Sequence, residues 1–324
     1  MLKTNGEREI VIHGVDMRPQ AVGRFLCDGF GLVPAGASAE YAQVLADVVE
    51  RERPHVLFVQ SSSEVGAVAR SRAALAELGA AVLVADPEAI ELCDDKALMH
   101  AACSDIPVLQ PRLLLPATLD DFVAGAHELG YPGVPVCFKP PVAKGSRGFH
   151  VVAAGGPDDG GLLERRGGTS VLTLEDAVNG LRDADPFPRL LLMEYVDAPE
   201  FVVDALVDDG ELVLFQAKTR EAVKAGLAMS FRTVDKPALV TASRHICRRL
   251  GLDQFVSIQF MGEHLIEVNP RVSTFIYQDD FNLPYLGIKY ALGELDAAGV
   301  ALAQTRVRTS RRSVRYYDQV FWDE

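Results

Sequence analysis

"LIEVNPR", residues 265–271, carries two patterns that one strand can hold only if its faces do different work. Leu265, Ile266 and Val268 ask for a buried strand, whereas Glu267, Asn269 and Arg271 fall two apart and so project from one face. The stretch just before it, "FVSIQF" (255–260), reads as its hairpin partner. Val256, Ile258 and Phe260 must share a face with Ile266 and Val268, because a one-residue slip would put one set in water. That register sets Phe260 opposite Ile266, Ile258 opposite Val268 and Gln259 opposite Glu267, leaving Gly262, Glu263 and His264 as a three-residue loop. Gln259, Glu267 and Asn269 then bring three oxygen-bearing side chains together. An oxygen-only set suits a hard cation such as Mg2+, which takes one or two carboxylates and completes its octahedron with substrate phosphates. The alternative is an exposed polar sheet face. Arg271 lies further along the same edge, where its guanidinium could neutralise a phosphate or an oxyanion.

The rest of the chain sets the scale for that strand. Its 324 residues are enough for a large core in two or three domains, and 48% hydrophobic with 24% charged residues is a globular composition. No apolar run is long enough to span a bilayer, and "MLKTNGEREIVIHGVD" lacks the basic-then-apolar order of a signal peptide, so a cytoplasmic protein is expected. A net charge of −13 argues against nucleic acid or an anionic membrane as the main partner; an anionic ligand needs a local basic pocket. Cys27, Cys93, Cys103, Cys137 and Cys247 are far apart and odd in number, which reads as small core residues rather than a disulfide framework or zinc site.

Residues 1–93 alternate strands and helices: "EIVIHGVD", a helix over "SAEYAQVLADVVERERP" capped by Ser38, "HVLFVQ", a helix closed by Gly79, and "AVLVA". This order implies a parallel sheet with helix-covered faces, a short Rossmann-like domain. A doubly wound domain usually opens with a strand and a glycine-rich turn before such a segment, and its first βα unit reads as missing. From about residue 94 the pattern changes to a helix containing Lys96, a proline-rich connector and a helix capped by Thr118. "VPVCFKPPVAKGSRGFHVVAA" then reads as two antiparallel strands joined by a flap whose tip offers backbone N–H groups, Lys144 and Arg147, chemistry suited to a polyphosphate but also found in ordinary glycine turns. "RLLLMEYVDAPEFVVDALVDDGELVLFQAK" supplies three more strands with a turn at Asp209 and Gly210. Glu194 and Glu200 end and begin two of them, either as the rim of a purine and ribose slot or as plain surface carboxylates.

Together "VSIQF", "LIEVNPRVS", "FKPPVAKGSRG" and "MEYVDAPEFVVD", in this order and spacing, resemble the ATP-grasp superfamily, and within it the carbamoyl-phosphate synthetase large chain and single-unit carboxylate–amine ligases. The resemblance covers about residues 90–290. It implies an α/β chain whose ATP-grasp domain, 94–290, sandwiches ATP between two α+β subdomains, the flap-bearing one at about 110–197. A truncated Rossmann-like domain precedes it and a helix and strand arm, 291–324, follows. By the same resemblance Lys96 and Lys139 contact the ATP phosphates, with Gly145, Ser146 and Gly148 in the flap above. Glu194 and Val196 hold the adenine edge, Glu200 the ribose, and Gln259, Glu267 and Asn269 ligate Mg2+ or Mn2+. Arg271 faces the transferred phosphoryl group or acyl phosphate. Gln259, neutral where many ATP-grasp ligases have an acid, matches the carbamoyl-phosphate synthetase pattern.

The implied chemistry joins a small carboxylate to an amine through an acyl phosphate, releasing ADP and phosphate. Two alternatives stand beside it: a carbamoyl-phosphate synthetase-like subunit acting on bicarbonate or carbamate, and a non-catalytic nucleotide-binding relic. The tail "RVRTSRRSVRYYDQVFW" gathers Arg306, Arg308, Arg311, Arg312 and Arg315 with aromatics, and in an acidic chain it is expected to dock on its own protein or on a homodimer partner.

Overall fold

The computed structural model describes residues 2–143, 147–155, 170–224, 227–272, 278 and 280–322. In the first ninety residues, β1 (His13–Asp16) and β2 (Gly29–Leu32) pair in parallel around α1 (Gly23–Leu26). After α2 (Tyr41–Glu52), a second parallel pair, β3 (Val56–Phe58) and β4 (Ala81–Leu83), flanks α3 (Val65–Arg70) and α4 (Arg72–Glu77). The parallel alternation expected from the sequence is present, as two short sheets instead of one. The strand expected at "EIVIHGVD" is β1, whereas β2 is not legible in the sequence because "GFGL" lacks an apolar run. Tyr41, Leu45 and Val49 bury one stripe of α2 against Val59, Val68 and Val82. Ser38 does not cap this helix. Its N-cap is Glu40 without a side-chain bond, and the Ser38 hydroxyl accepts the Glu40 N–H before the helix begins.

Next come α5 (Pro87–Asp94) and α6 (Lys96–Ala102). They lead to a sheet ordered β5-β9-β6-β7-β8: β5 (Leu113–Leu114), β6 (Val136–Lys139), β7 (His150–Val152), β8 (Ser170–Leu172) and β9 (Leu191–Glu194). Two helices back it, α7 (Leu119–Glu128) and α8 (Leu174–Leu181), each opened by a complete capping box, Thr118 with Asp121 and Thr173 with Asp176. Phe122, Val136, Phe138 and Leu192 fill the space between helices and sheet. β6 and β7 pair antiparallel, Val136 with Val152 and Phe138 with His150, so the segment between them is the flap the sequence implied.

The larger sheet runs β12-β13-β11-β10-β14-β15, with β16 joined to β13. It comprises β10 (Glu200–Asp208), β11 (Glu211–Thr219), β12 (Ala222–Lys224), β13 (Leu227–Val234), β14 (Gln254–Met261), β15 (His264–Asn269) and β16 (Arg312–Val314). One face is apolar: Val203, Ala205, Ala217, Val256, Ile258 and Val268 pack on Leu239, Ile246 and Cys247 of α9 (Pro237–Arg249) and on Cys93 and Met99. Beyond the sheet, α10 (Leu283–Ala291) and α11 (Ala297–Gln304) precede the C-terminal arm. The arm docks on its own protein: β16 adds an edge strand, and Trp322 reaches Phe25 with ring centroids 4.9 Å apart. All five cysteines are free thiols, four of them buried. Among the described residues no helix is long and apolar enough to cross a membrane.

Candidate functional site

The hairpin that opened the sequence reading has the central register expected of it, with one correction. Ile258 faces Val268 and Gln259 faces Glu267, but Phe260 faces Leu265, and His264 is already paired with Met261. The register shifts between Gln259 and Phe260, so Ile266 is the extra residue of a β-bulge and the loop is only Gly262 and Glu263. Leu265 is fully buried, as is Phe260, which is what the bulge achieves: it seats both apolar side chains and still turns Glu267 toward Gln259. Alternation alone cannot show an inserted residue.

Cross-strand partners lie on the same face, so the strand pairings build the polar face row by row. One row reads Lys218, Val202, Gln259, Glu267; the next, two residues along, reads Gln216, Asp204, Ser257, Asn269. At the third, Arg220 follows β11 and donates its backbone N–H to the Glu200 carbonyl at 3.0 Å, with Met261 beyond Glu200. Glu267, Asn269 and Gln259 therefore do converge, and Asn269 Nδ2 donates to Glu267 Oε1 at 2.8 Å, leaving the Asn269 amide oxygen as its acceptor.

Lys96 and Lys139 come to this face from elsewhere in the chain. Asp95 caps α6 by accepting the Ala97 and Leu98 N–H groups, is itself paired with Arg189, and so fixes the first turn that carries Lys96. Lys96 Nζ donates to the Ala143 carbonyl at 3.0 Å and lies 3.6 Å from Glu267 Oε2. Lys139 ends β6 with 8% of its surface exposed. Burial pushes its ammonium below the ordinary lysine range; Glu267 opposes that shift and Lys96 adds to it. Burial alone would raise the Glu267 carboxyl, but Lys96, Lys139 and the Asn269 hydrogen bond together hold it below the usual carboxylate range. Arg271 is also largely desolvated, which lowers its affinity for the proton against the pull of Glu267 and, behind it, Asp94; its Nη1 donates to the Val272 carbonyl at 3.1 Å. Two lysines and an arginine thus surround one carboxylate.

The base of the flap meets this cluster at Ala143, whose carbonyl accepts from Lys96 Nζ. Gly148 has φ +71°, and a Cβ there would stand 2.8 Å from Pro140 Cδ, so the base of the flap accepts only glycine without displacement. Pro140, Val142, Ala143, Arg147 and Gly148 line an open cleft of about 470 Å³. Gly145 and Ser146, like Lys144, lie outside the described residues. Glu194 and Val196 are half-buried at the end of β9, where the Glu194 N–H is taken by the Arg112 carbonyl at 3.0 Å and the Glu194 carbonyl receives the Cys137 thiol. Glu200 is not a bare carboxylate: its Oε1 is ion-paired with Arg220.

Three polar groups at the site were not singled out from the sequence. Arg220 is one. The second is the buried Lys218–Asp204 pair, with Ser257 donating to Asp204 at 2.9 Å. The third is His100, one turn after Lys96, whose Nδ1 meets Gln110 Oε1 at 2.7 Å; burial, aided by Lys139 and Lys96, pushes it down to about 4, so it is a neutral imidazole behind the lysines. The i, i+4 spacing from Lys96 was its only sequence signal.

Among the described residues no group of three or more histidine, cysteine or acidic side chains could cage a metal ion. The set at hand, one carboxylate and two amide oxygens, instead fits a cation that brings most of its ligands with it, as Mg2+ does with phosphates.

Comparison with known proteins bears on the fold and family likeness of the chain. Residues 186–313 match a family described as ATP-grasp in the biosynthetic pathway with Ter operon. The arginine-specific carbamoyl phosphate synthase large chain of Bacillus subtilis is 24% identical over 243 residues, covering 71% of this chain and 21% of that one. The carbamoyl phosphate synthase large chain of Rubrobacter xylanophilus is 27% identical over 282 residues, 82% of this chain and 23% of the other. This chain therefore spans less than a quarter of either relative. Among solved structures, a biotin carboxylase from Campylobacter jejuni superposes with a TM-score of 0.67 at 15% identity, over 92% of this chain and 69% of its own. The biotin carboxylase domain dimer of the Hydrogenobacter thermophilus 2-oxoglutarate carboxylase, solved with MgADP, ADP and bicarbonate, gives 0.65 at 16% identity, over 90% and 66%. Strand pairing and these likenesses coincide: the chain has an ATP-grasp fold preceded by a short Rossmann-like region, and it resembles the large chain of carbamoyl phosphate synthase.

Proposed function

We propose that this chain is an ATP- and Mg2+-dependent ligase that activates a small carboxylate as an acyl phosphate for attack by an amine. The observation that carries the reading is the imbalance of buried charge. Lys96, Lys139 and Arg271 all act on Glu267, with Asp94 a weaker partner of Arg271 alone, and desolvated cations in excess are stabilised by further negative charge, such as a bound anion.

The chemistry asks for such a site. A carboxylate is a poor electrophile, and taking the γ-phosphoryl group of ATP turns it into a mixed anhydride. That transfer depends on positioning and charge neutralisation, not on a side-chain nucleophile. Lys96 and Lys139 would hold the phosphates, under the flap whose base is Gly148. Glu194 and Val196 would hold the adenine edge and Glu200 the ribose, while Arg271 would face the transferred group. Glu267, with Gln259 and Asn269, would hold Mg2+, which would supply charge neutralisation for the phosphates. Gly145 and Ser146 belong to this proposal only by the family resemblance.

Bicarbonate as the carboxyl substrate is a second reading, supported by the names of the two relatives and by the bicarbonate in the Hydrogenobacter domain. The test is release of ADP and phosphate when the protein is offered MgATP with a panel of carboxylates, bicarbonate among them, each with and without amines. Turnover should need both MgATP and one acid, and should vanish in Glu267→Ala. Nucleotide binding without turnover across the panel would leave only a nucleotide-binding relic, and near-parental activity of Glu267→Ala would overturn the metal assignment.

A further inference from the structure

Arg220 is the side chain at the centre of the site to which the reading above gives no work. It follows β11 directly, and its backbone bond to Glu200 anchors it at the end of the polar face. A single atom, Nη1, is ion-paired with Glu200 Oε1 and donates to Gln259 Oε1 at 3.2 Å. Both side chains of the ion pair are mostly buried, Arg220 at 12% and Glu200 at 15% exposed, so the pair is screened little by solvent. These two oxygens are the ones that the proposed function gives to the ribose and to the metal ion.

Each ligand competes with the guanidinium for its oxygen. A ribose hydroxyl donating to Glu200 weakens the hold of that carboxylate on Nη1, and a divalent cation on Gln259 is repelled by a guanidinium a hydrogen bond away. Because one nitrogen serves both acceptors, its withdrawal for either ligand vacates the other oxygen as well. Whichever ligand arrives first meets the cost of breaking the bridge, and the second does not. That is a coupling free energy between two sites, reciprocal by linkage.

We infer that Arg220 couples nucleoside and metal-ion binding, and so determines specificity: the site takes a metal–nucleotide complex in preference to a nucleoside or an ion alone. The inference rests on the reading of this site as one for Mg2+ and ATP. It differs from a merely structural role, in which Arg220 props Glu200 toward the ribose and its loss weakens every ligand.

Adenosine is the probe that separates these roles, because without phosphates it cannot contact the metal ion itself. Its affinity for the full chain is measured by calorimetry with and without excess MgCl2, with MgADP as the control ligand. In the parent protein Mg2+ should tighten adenosine binding about tenfold, within the usual span of coupling between sites. Arg220→Gln should bind adenosine about tenfold more tightly than the parent without Mg2+, and Mg2+ should then change nothing, since the bridge is already open. Arg220→Lys, which keeps the charge and one partner, should stay as weak as the parent toward adenosine but lose the Mg2+ response. Adenosine binding seen only in Arg220→Gln would also support the coupling. If Arg220→Gln and Arg220→Lys both weaken adenosine, Arg220 is a prop and the inference falls. It falls too if MgADP binds the parent while adenosine affinity is indifferent to Mg2+, or undetectable in every variant. If neither MgADP nor adenosine binds the parent, the proposed function fails and takes this inference with it.

Discussion

Two buried lysine–carboxylate arrangements share the polar face of the large sheet, and they are built to opposite ends. Lys218 and Asp204 stand on adjacent strands of one hairpin, both almost fully buried, and Ser257 satisfies the second carboxylate oxygen. Burial pushes each toward its neutral form and each pulls the other back. One positive and one negative charge close on themselves. Across the same face, Glu267 meets two lysines and an arginine brought by α6, β6 and the end of β15. The first arrangement is balanced within itself; the second, in the function proposed above, is completed by a ligand. In the proposed reading, what separates the structural ion pair from the binding site is the local charge count together with access: the Glu267 side chain is 27% exposed, that of Asp204 not at all.

The comparison breaks most visibly at the closed pair. Lys218→Met should destabilise the protein by about 3–5 kcal/mol in urea unfolding, because it strands a desolvated carboxylate, whereas Asp204→Leu combined with Lys218→Met should recover most of that loss. Equal damage from the single and double variants would show that the pair contributes packing rather than charge compensation.

At the open cluster the same kind of substitution should act in reverse. Lys139→Met removes a desolvated cation held beside Lys96, so thermal stability without nucleotide should stay level or rise. ATP affinity should fall by about 2–3 kcal/mol, the worth of a charge-assisted contact to phosphate. A variant that loses stability and keeps ATP affinity would make Lys139 a partner of Glu267 and nothing more.

The flap offers a smaller effect. Gly148→Ala places a Cβ against Pro140 at a left-handed backbone position and should cost about 1–2 kcal/mol. The loss should appear as faster hydrogen exchange in β6 and β7 and weaker nucleotide binding, with the large sheet unaffected. Uniformly faster exchange across the protein would mean that flap and large sheet unfold as one unit.

The smallest change tests whether the flap-bearing sheet answers independently. Thr118→Ala removes the cap of α7 and should cost about 1 kcal/mol, read by thermal unfolding, while nucleotide affinity stays within a factor of two. A drop in affinity comparable to that of Lys139→Met would tie helix α7 to the site.

Local chemistry alone settled a good part of this protein. The period-two alternation of "VSIQF" and "LIEVNPR" set Gln259 against Glu267, the Thr118 box opened α7, and Asp209 and Gly210 turned the β10–β11 hairpin, because each depends on residues only a few positions apart. The bulge at Ile266 and the true start of α2 escaped, since an inserted residue or a cap shifted by two leaves the apolar spacing almost unchanged. Tertiary structure alone decided the charges. Lys96, Lys139 and Glu267 are separated by 43 and 128 positions in the chain and meet only through the packing of α6, β6 and β15. Whether a lysine finds one carboxylate or shares it, as Lys218 and Lys139 respectively do, depends on which strands become neighbours across the sheet, and no local pattern encodes that distance.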